Sequence, residues 1–410
     1  MEFNESQKIA IEHGDGPMLL LAGPGSGKTT VLIHRIKYMI QHHGIRPEHI
    51  LVITFTKAAA NEMKIRFRNL CPEVGSVTFG TFHSVFFWIL RNAYNYTGTD
   101  IITDAEKYGA VRDSIERHGF RYDSQEDFAR NVLGEIGCVK SEMCDLKSYE
   151  STTMKTDDFR VVYDDYENFL RYRGKIDFDD MLVFTYELLS QRQDILDMWR
   201  NRFQYILIDE FQDINTIQYD TVKLLAKERN NIFAVGDDDQ SIYGFRGAAP
   251  AIMKRFPKDF PGTKIEYLNM NYRCSYDVVE CSKRIIKNNT DRYDKNLQSA
   301  FAPGESDRVH IVKVKDGTEQ NRKIVDKIRE LNSAGIPYSD IAVIFRTNTE
   351  PRALSSKLME NGIPFSMKDS IPNIFTHFLA ENIFDYIKLA RGCRERRGFL
   401  RGFKKPYRHK

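Results

Sequence analysis

A glycine-rich segment near the start of the chain has the residue types that bind phosphate. The apolar run at 18–22 leads into Gly23-Pro24-Gly25-Ser26-Gly27-Lys28-Thr29, and a helical pattern follows. Glycines let consecutive backbone N–H groups face a phosphate, and a helix N-terminus adds its dipole. Lys28 would reach the β- and γ-phosphates, and the Thr29 hydroxyl would ligate Mg²⁺. The segment therefore predicts a site for a nucleoside triphosphate with Mg²⁺.

One position of this phosphate loop departs from the strict pattern, because Ala22 stands where glycine is usual. The residues that we predict to bind the nucleotide here are Ala22, Gly23, Gly25, Ser26, Gly27, Lys28, Thr29 and Thr30. A glycine-rich turn ahead of a helix is the alternative. The apolar strand before the loop and the helix after it favour phosphate binding.

A second apolar run, at 205–208, ends in the acidic pair Asp209-Glu210. Two carboxylates at the carboxyl end of a buried strand would lie beside the phosphate loop. Asp209 is predicted to hold Mg²⁺ through water, and Glu210 to polarise the attacking water. Without the phosphate loop, an Asp-Glu pair is more typical of a solvated strand end.

A third polar cluster, Asp237-Asp238-Asp239-Gln240, follows the apolar run at 232–235. Three acids and a glutamine are compatible with an ordinary turn. At the end of a strand that neighbours the phosphate loop, Gln240 is instead expected to sense the γ-phosphate or the attacking water. Lys28, Glu210 and Gln240 are therefore candidate catalytic residues.

Short apolar runs indicate the strands that position these loops. We predict strands near 17–22, 50–55, 76–79, 204–209, 231–236 and 264–268, most of them followed by a helical pattern. Their alternation with helices predicts an α/β fold with a doubly wound parallel sheet. Strand patterns vanish between about 95 and 200, where helical patterns at 104–118, 124–133, 157–172 and 177–191 indicate a helical insertion.

A second α/β unit is predicted after residue 272. It has strand patterns near 309–314 and 341–346, and helical patterns near 318–333, 350–361 and 376–391. Residues 391–410 hold nine Lys or Arg and one acid, Glu395. Such a basic segment is compatible with nucleic-acid binding and equally with a solvated helix end.

The bulk composition excludes several classes of protein. The chain has 410 residues, of which 41% are hydrophobic and 29% charged, which suits two or three domains and not a membrane protein. No secretory signal is visible at the polar N-terminus. Six scattered cysteines without a Cys-x-x-Cys pair argue against a zinc or iron–sulfur site and predict a cytoplasmic location.

Taken in order, the motifs resemble those of superfamily 1 DNA helicases of the UvrD/PcrA/Rep type. Further segments that carry the resemblance are Phe3-Asn4-x-x-Gln7 and those at 53–63, 80–84, 177–181, 209–213, 236–248, 268–273 and 341–348. The implied fold is a P-loop NTPase (RecA-like) sheet with a helical insertion, followed by a partial second RecA-like domain. The implied domains are 1–95 (first part of motor domain 1A), 96–198 (insertion 1B), 199–273 (second part of 1A), 274–370 (partial 2A) and 371–410 (start of 2B with the basic tail).

The resemblance also implies ATP as the nucleotide and roles for further residues. Gln7 would hydrogen-bond the adenine, and Tyr272 would stack on it. Arg35 would lie near the nucleotide. Arg273 would act as an arginine finger, which makes it a fourth candidate catalytic residue.

By the same resemblance the partner is single-stranded DNA. Motors that grip any sequence use stacking aromatic rings and phosphate contacts rather than base-edge hydrogen bonds. The residues that would line the strand are Phe55, Thr81, His83, Tyr243, Phe245 and Arg246.

The C-terminal part departs from the family pattern. Motifs V and VI of the second motor domain are not recognisable, and residues 399–408 resemble the start of domain 2B. We therefore expect a C-terminally truncated, incomplete motor, with an exposed sheet edge in 2A and with a second chain as a candidate partner that supplies the missing half.

Three functions remain open from the sequence. The leading hypothesis is an ATP-dependent DNA helicase or translocase, moving 3′→5′ by resemblance. The alternative is a nucleotide-gated single-strand-binding or regulatory subunit with little ATPase activity. The third, a P-loop kinase or other small-molecule phosphotransferase, is disfavoured by the aromatic and basic motifs beyond the phosphate loop.

Overall fold

A six-stranded parallel sheet lies at the centre of the first part of the chain. The computed structural model describes residues 2–120, 125–242, 251–304, 308–347, 350–367 and 378–392. The strands are β1 Met18–Ala22, β2 Ile50–Thr54, β3 Thr78–Thr81, β4 Tyr205–Ile208, β5 Ile232–Gly236 and β6 Lys264–Leu268. Their order is β3-β2-β4-β5-β1-β6, and every neighbouring pair is parallel. The predicted doubly wound parallel sheet is thereby confirmed.

Helices cover both faces of this sheet. Strands β1, β2 and β5 are buried along their whole length, which explains their continuous apolar sequences. One face is covered by α1 Glu5–Glu12, α2 Lys28–His43 and α3 Lys57–Leu70. The other is covered by α4 Phe82–Tyr94, α8 Phe178–Gln191, α9 Gln193–Arg202, α10 Thr216–Ala226 and α11 Ala251–Asp259.

The helical insertion has a core of its own. Its helices are α5 Asp104–Arg117, α6 Gln125–Ser141 and α7 Thr156–Arg173, which pack around Val111, Val132, Phe159 and Tyr166. Helices α8 and α9 instead bury Leu182 and Trp199 in the core of the sheet. The separate core thus ends well before residue 198, where the sequence placed the boundary.

Buried charges lie where the insertion meets α8. The ammonium of Lys140 is 2.7 Å from Asp180 and 3.1 Å from Asp177, and it also pairs with Glu167. Asp179 lies next to this network. Burial, together with the charge of Asp177, raises the pKa of Asp179 to about 6. At neutral pH, folding therefore forces an unfavourable ionised carboxylate into this junction.

We expect Asp179→Asn to stabilise the protein at alkaline pH. The pKa of Asp179 in the folded state exceeds the ordinary value of an aspartate. Ionisation of Asp179 therefore lowers the free energy of unfolding progressively as pH rises through about 4 to 6, and the full loss persists above that window. The free energy of unfolding at pH 8 should rise by about 1–3 kcal/mol. The gain at pH 5 should be smaller. Urea denaturation at both pH values measures the difference, with the exposed Asp113→Asn as a control that changes neither. Equal stability of the Asp179→Asn variant and the unsubstituted protein at pH 8 would contradict the expectation.

The first compact unit extends to Val309, beyond the predicted boundary at 273. Residues past that boundary continue the packing of the first unit. The short strands β7 Met270–Asn271 and β8 Gln298–Ser299 pair with each other, with α12 Tyr276–Ile286 between them.

The second compact unit starts at His310. It contains α13 Gly317–Ser333, α14 Pro351–Glu360 and α15 Phe378–Ala390. A small core forms around Val325, Ile328, Leu354, Leu358 and Ile363.

The two strand predictions in the second unit are wrong for the described residues. Residues 308–314 and 341–345 form no strand. A strand needs a hydrogen-bonded neighbour, and an apolar pattern alone does not supply one. As a result Ile311 and Ile344 are 93% and 92% exposed. Within the described ranges, the helices are all too short or too polar to cross a membrane.

Candidate functional site

The phosphate loop is a tight turn between β1 and α2. Gly25 and Gly27 have φ values of 67° and 86°, in the left-handed region that favours glycine. The Ser26 hydroxyl donates to the Gly23 carbonyl at 2.7 Å and closes the turn. Ala22 ends β1 and Thr30 lies in the first turn of α2, so the predicted nucleotide-binding segment surrounds this turn.

Lys28, the first residue of α2, reaches across the carboxyl edge of the sheet to Glu210. Its ammonium lies 2.9 Å from Glu210 Oε2, and the Gln212 side-chain amide donates to the same oxygen at 2.9 Å. Burial raises the pKa of Glu210, but Lys28 and the bond from Gln212 outweigh this effect and lower it below the usual value. Glu210 is therefore ionised at neutral pH and can accept a proton or orient a water molecule.

Asp209 follows β4 and is almost completely buried. Its backbone N–H donates to the Ile53 carbonyl at 2.9 Å, which fixes it at the sheet edge. Among the described residues, no group donates a hydrogen bond to its Oδ1. Burial and the neighbouring Glu210 raise its pKa to about 7, against the opposing effect of Lys28. A buried carboxylate oxygen without a donor suits a cation, so Asp209, with Thr29 on the same edge, fits Mg²⁺.

The N-terminal helix is tied to the phosphate loop through Gln7. The Gln7 side-chain amide donates to the Ser26 carbonyl at 3.1 Å, and Gln7 also forms a capping box with Asn4. Asn4 in turn donates to the Tyr272 hydroxyl at 2.9 Å. The Tyr272 backbone N–H donates to the Gly25 carbonyl at 2.9 Å. Gln7 and Tyr272, the two residues that the family resemblance assigns to the base, are thus brought to one side of the loop.

Asn271 anchors the segment that carries Arg273. Its Nδ2 donates to the Pro24 carbonyl at 2.7 Å, and its Oδ1 accepts from the backbone N–H groups of Arg273 and Cys274 at 2.8 and 2.7 Å. A Cβ on Gly25 would lie 2.7 Å from the Cβ of Arg273. The exposed Arg273 side chain therefore starts directly at the phosphate loop.

The structure does not bring Arg35 to this site. Its guanidinium is buried and donates to the carbonyls of Ala10, His13 and Gly14, which precede β1. It also lies 4.5 Å above the Phe233 ring. Burial lowers the pKa of Arg35 to about 9. The carbonyls that hold it lie before the amino end of β1, whereas the phosphate loop follows its carboxyl end, so the expected nucleotide contact of Arg35 is replaced by a structural one.

The turn after β5 carries Gln240, and Gln212 links this turn to the acidic pair. The backbone N–H of Asp237 donates to Gln212 Oε1 at 2.9 Å, and the Gln240 side-chain amide donates to Asp237 Oδ2 at 2.6 Å. A Cβ on Gly236 would lie 2.7 Å from Gln212 Oε1, so only glycine permits this approach. The sequence motifs contain Gln212 and Asn271 as polar residues, but they did not predict that these two side chains connect neighbouring segments of the site.

The predicted DNA-contacting residues of β2, β3 and α4 lie side by side. Phe55 follows β2, and Thr81 ends the neighbouring β3. The two strand ends are adjacent because Thr54 pairs with Thr81 in the sheet. Thr81 caps α4, and His83 lies in its first turn. The three are partly exposed at the carboxyl edge of the sheet. Tyr243, Phe245 and Arg246 lie outside the described residues.

An aromatic residue that the sequence did not single out joins this row. The Phe178 ring is 5.5 Å from the His83 ring, at 88°, and it is 48% exposed. The Lys107 ammonium lies 5.7 Å from its centre. Burial and Lys107 lower the pKa of His83, so its imidazole is neutral at pH 7. An exposed ring beside a lysine has the chemistry of a stacking platform for a base.

Two family models match the chain in tandem. The UvrD/REP helicase N-terminal domain matches residues 3–261, and the UvrD-like helicase C-terminal domain matches residues 267–409. The chain belongs to the UvrD/REP helicase family. The resemblance seen in the sequence motifs is thereby confirmed.

Relatives of this UvrD/REP-family chain are named as ATP-dependent DNA helicases. It is 36% identical over 399 residues to the putative ATP-dependent DNA helicase YjcD of Bacillus subtilis, covering 94% of this chain and 51% of the relative. It is 35% identical over 374 residues to the ATP-dependent DNA helicase PcrA of Staphylococcus epidermidis, covering 89% and 50%. PcrA of Staphylococcus aureus is 34% identical over 372 residues, with the same coverage. The chain thus spans about half the length of the curated relatives it matches.

Proposed function

We propose that this chain binds ATP with Mg²⁺ at the carboxyl edge of its six-stranded sheet and hydrolyses it as part of a UvrD-type DNA helicase or translocase. The observation that carries the proposal is the 2.9 Å ion pair between Lys28 of the phosphate loop and Glu210 of the acidic pair. It joins the group that would hold the phosphates to the group that would activate water. The names of the relatives support the same activity.

The chemistry follows from what these side chains can exchange. When phosphate binds, the Lys28 ammonium would turn from Glu210 to the β- and γ-phosphates. Glu210 would then be free to orient and deprotonate the attacking water. Thr29 and Asp209 would hold Mg²⁺, which supplies charge neutralisation of the phosphates. Gln240 would contact the γ-phosphate or the water.

The base and the transition state would be contacted from the other side of the loop. Gln7 and Tyr272 are proposed to hydrogen-bond and stack on the adenine, in the position that their bonds to Ser26 and Gly25 give them. The exposed Arg273 would extend over the phosphates and stabilise the charge that develops there.

Single-stranded DNA is proposed to run along the carboxyl edge of β2 and β3, moved in the 3′→5′ direction. Phe55, His83 and the adjacent Phe178 offer rings for stacking, and Thr81 and Lys107 suit phosphate contacts. From the motif resemblance, Tyr243, Phe245 and Arg246 are proposed to continue this surface.

A second candidate function is a nucleotide-gated single-strand-binding or regulatory subunit with little ATPase activity. It is favoured by the exposed Ile311 and Ile344 of the second unit, because apolar surface of this kind is typical of a subunit that another chain covers. The nucleotide site would then act as a switch rather than as a motor.

ATP hydrolysis by the 410-residue chain, measured with and without single-stranded DNA, tests the proposal. We expect DNA-stimulated turnover of about 1 s⁻¹ or faster, with Lys28→Ala at the background level because it loses the phosphate contact. Turnover that DNA does not stimulate, with ATP and DNA both still bound, would favour the regulatory subunit. A Lys28→Ala variant as active as the unsubstituted chain would refute the proposed site.

A further inference from the structure

The acidic turn after β5, residues 237–239, is closed by residues 292–298, which we call the basic segment. Lys295 is 4% exposed, and its ammonium pairs with Asp237, with Asp238 at 2.5 Å and with Asp239 at 2.9 Å. Nearby, Arg292 pairs with Asp239 at 2.7 Å, and the backbone N–H of Tyr293 donates to Asp238 at 2.6 Å. The nucleotide mechanism above uses none of these three basic-segment residues.

The three carboxylates lie close enough together to hold a metal ion, but Lys295 already supplies the positive charge there. Burial tends to lower the pKa of Lys295, while Asp237 and the bonds to all three aspartates raise it, and the net pKa is above the usual value. Lys295 therefore carries its positive charge at neutral pH. Removal of Lys295 would leave the three clustered carboxylates with less compensating positive charge.

Asp237 is the residue that Lys295 shares with the nucleotide site. It is fully buried; Oδ1 receives Lys295, and Oδ2 accepts from Gln240 Nε2 at 2.6 Å. Because a carboxylate only accepts, this bond fixes which end of the Gln240 amide faces it. Within the described ranges, that is the side-chain bond recorded for Gln240, so its carbonyl oxygen and second N–H can meet a ligand.

The basic segment is also anchored on the phosphate-loop side. A Cβ on Gly23 would lie 2.6 Å from Cδ1 of Leu297, and the Gln298 backbone N–H donates to the Asn269 carbonyl at 2.8 Å. Residues 292–298 thus connect the acidic turn to the strand beside the phosphate loop. Because both ends of this segment are held, Lys295 is suited to hold Asp237 in one place.

We propose that Lys295 is a positioning residue that holds the Gln240 amide, through Asp237, in the orientation that reads the γ-phosphate. This inference rests on the proposed function, because it assigns Gln240 to the nucleotide. It adds that nucleotide discrimination depends on a buried residue 55 positions beyond Gln240 in the sequence.

The test compares binding of fluorescent ADP and a fluorescent non-hydrolysable ATP analogue, with Mg²⁺, to the full chain. The readout is the ratio of the two dissociation constants, which needs no turnover. Lys295→Met should reduce the preference for the triphosphate by about tenfold, as expected for loss of one charge-assisted hydrogen-bond geometry. Lys295→Arg, which keeps the charge, should recover most of the preference.

A double-substitution cycle separates positioning from general destabilisation. If Lys295 acts through Gln240, adding Lys295→Met to Gln240→Ala should change the ratio of the dissociation constants little further. If the two residues act independently, their effects on this ratio would multiply. Lys254→Met is the matched control: it also removes a lysine paired to an aspartate, Asp291, but on the surface of α11. The control should leave the ratio unchanged.

Folding is checked by thermal unfolding, and Lys295→Met/Asp238→Asn, which restores the charge balance, replaces the single variant if that unfolds. Loss of folding in both would assign Lys295 to stability and overturn the inference. An unchanged ratio in Lys295→Met, or multiplying effects with Gln240→Ala, overturns it while the proposed nucleotide site stands. An unsubstituted chain that binds both nucleotides equally also overturns it, and one that binds neither removes the proposed function with it.

Discussion

Replacing Glu210 by glutamine should remove nearly all DNA-stimulated ATP hydrolysis and leave ATP bound. The amide has the size of the carboxylate but cannot take a proton from water, so kcat should fall by about 10²–10⁴-fold. Affinity for ATP should stay the same or rise, because Lys28 no longer shares its charge with an ion-pair partner 2.9 Å away. Steady-state hydrolysis with saturating single-stranded DNA and equilibrium nucleotide binding measure the two effects separately.

Glu228→Gln is the matched control for this substitution. Glu228 also pairs with a cation, Arg200, at 2.7 Å, but it lies on the surface away from the phosphate loop. Its removal should leave kcat within about twofold, since exposed ion pairs contribute little. If Glu210→Gln kept more than about a tenth of the original kcat, a proton acceptor other than Glu210 would have to be sought.

The sheet, and the meeting of the candidate site residues at one of its edges, were predictable because local sequence determines both. Strands buried on both faces appear as continuous apolar runs, and a parallel sheet brings their carboxyl ends to one edge. Lys28, Asp209 and Gln240 each follow such a run, so their proximity could be expected before any contact was seen. Their arrangement at one edge follows from strand order β4-β5-β1.

Contacts between distant segments could not be predicted in the same way. A helical pattern shows which face of α8 or α9 is apolar but not which core will bury it, and these two helices joined the sheet rather than the insertion. Arg35 has a residue type suited to phosphate, yet carbonyls near the end of α1 hold it elsewhere. Nothing in the sequence around Lys295 indicates its role, because its three partners lie more than 50 residues away.

The second unit shows the limit of strand patterns. The runs at 309–314 and 341–346 have the composition of strands, but strand formation requires a neighbour that supplies the other half of each hydrogen bond. Ile311 and Ile344 remain exposed in the described structure. The sequence patterns therefore predicted apolar segments correctly and strand structure incorrectly.

Replacing Arg273 by alanine should reduce kcat by about 10³-fold while KM for ATP changes little. An arginine that extends over the phosphates stabilises charge that develops mainly in the transition state. The side chain can be removed cleanly, because the contacts that hold this segment come from the Arg273 backbone N–H and from Asn271. ATP hydrolysis in the presence of single-stranded DNA, over a range of ATP concentrations, gives both constants.

Two further variants make the Arg273 result interpretable. Arg273→Lys should restore only part of the rate, because an ammonium cannot match the two-pronged geometry of a guanidinium on phosphate oxygens. Arg284→Ala, which removes an exposed arginine from the adjacent α12, should have no effect. If Arg273→Ala raised KM and left kcat unchanged, Arg273 would be a ground-state phosphate contact rather than a finger, because uniform binding changes KM alone.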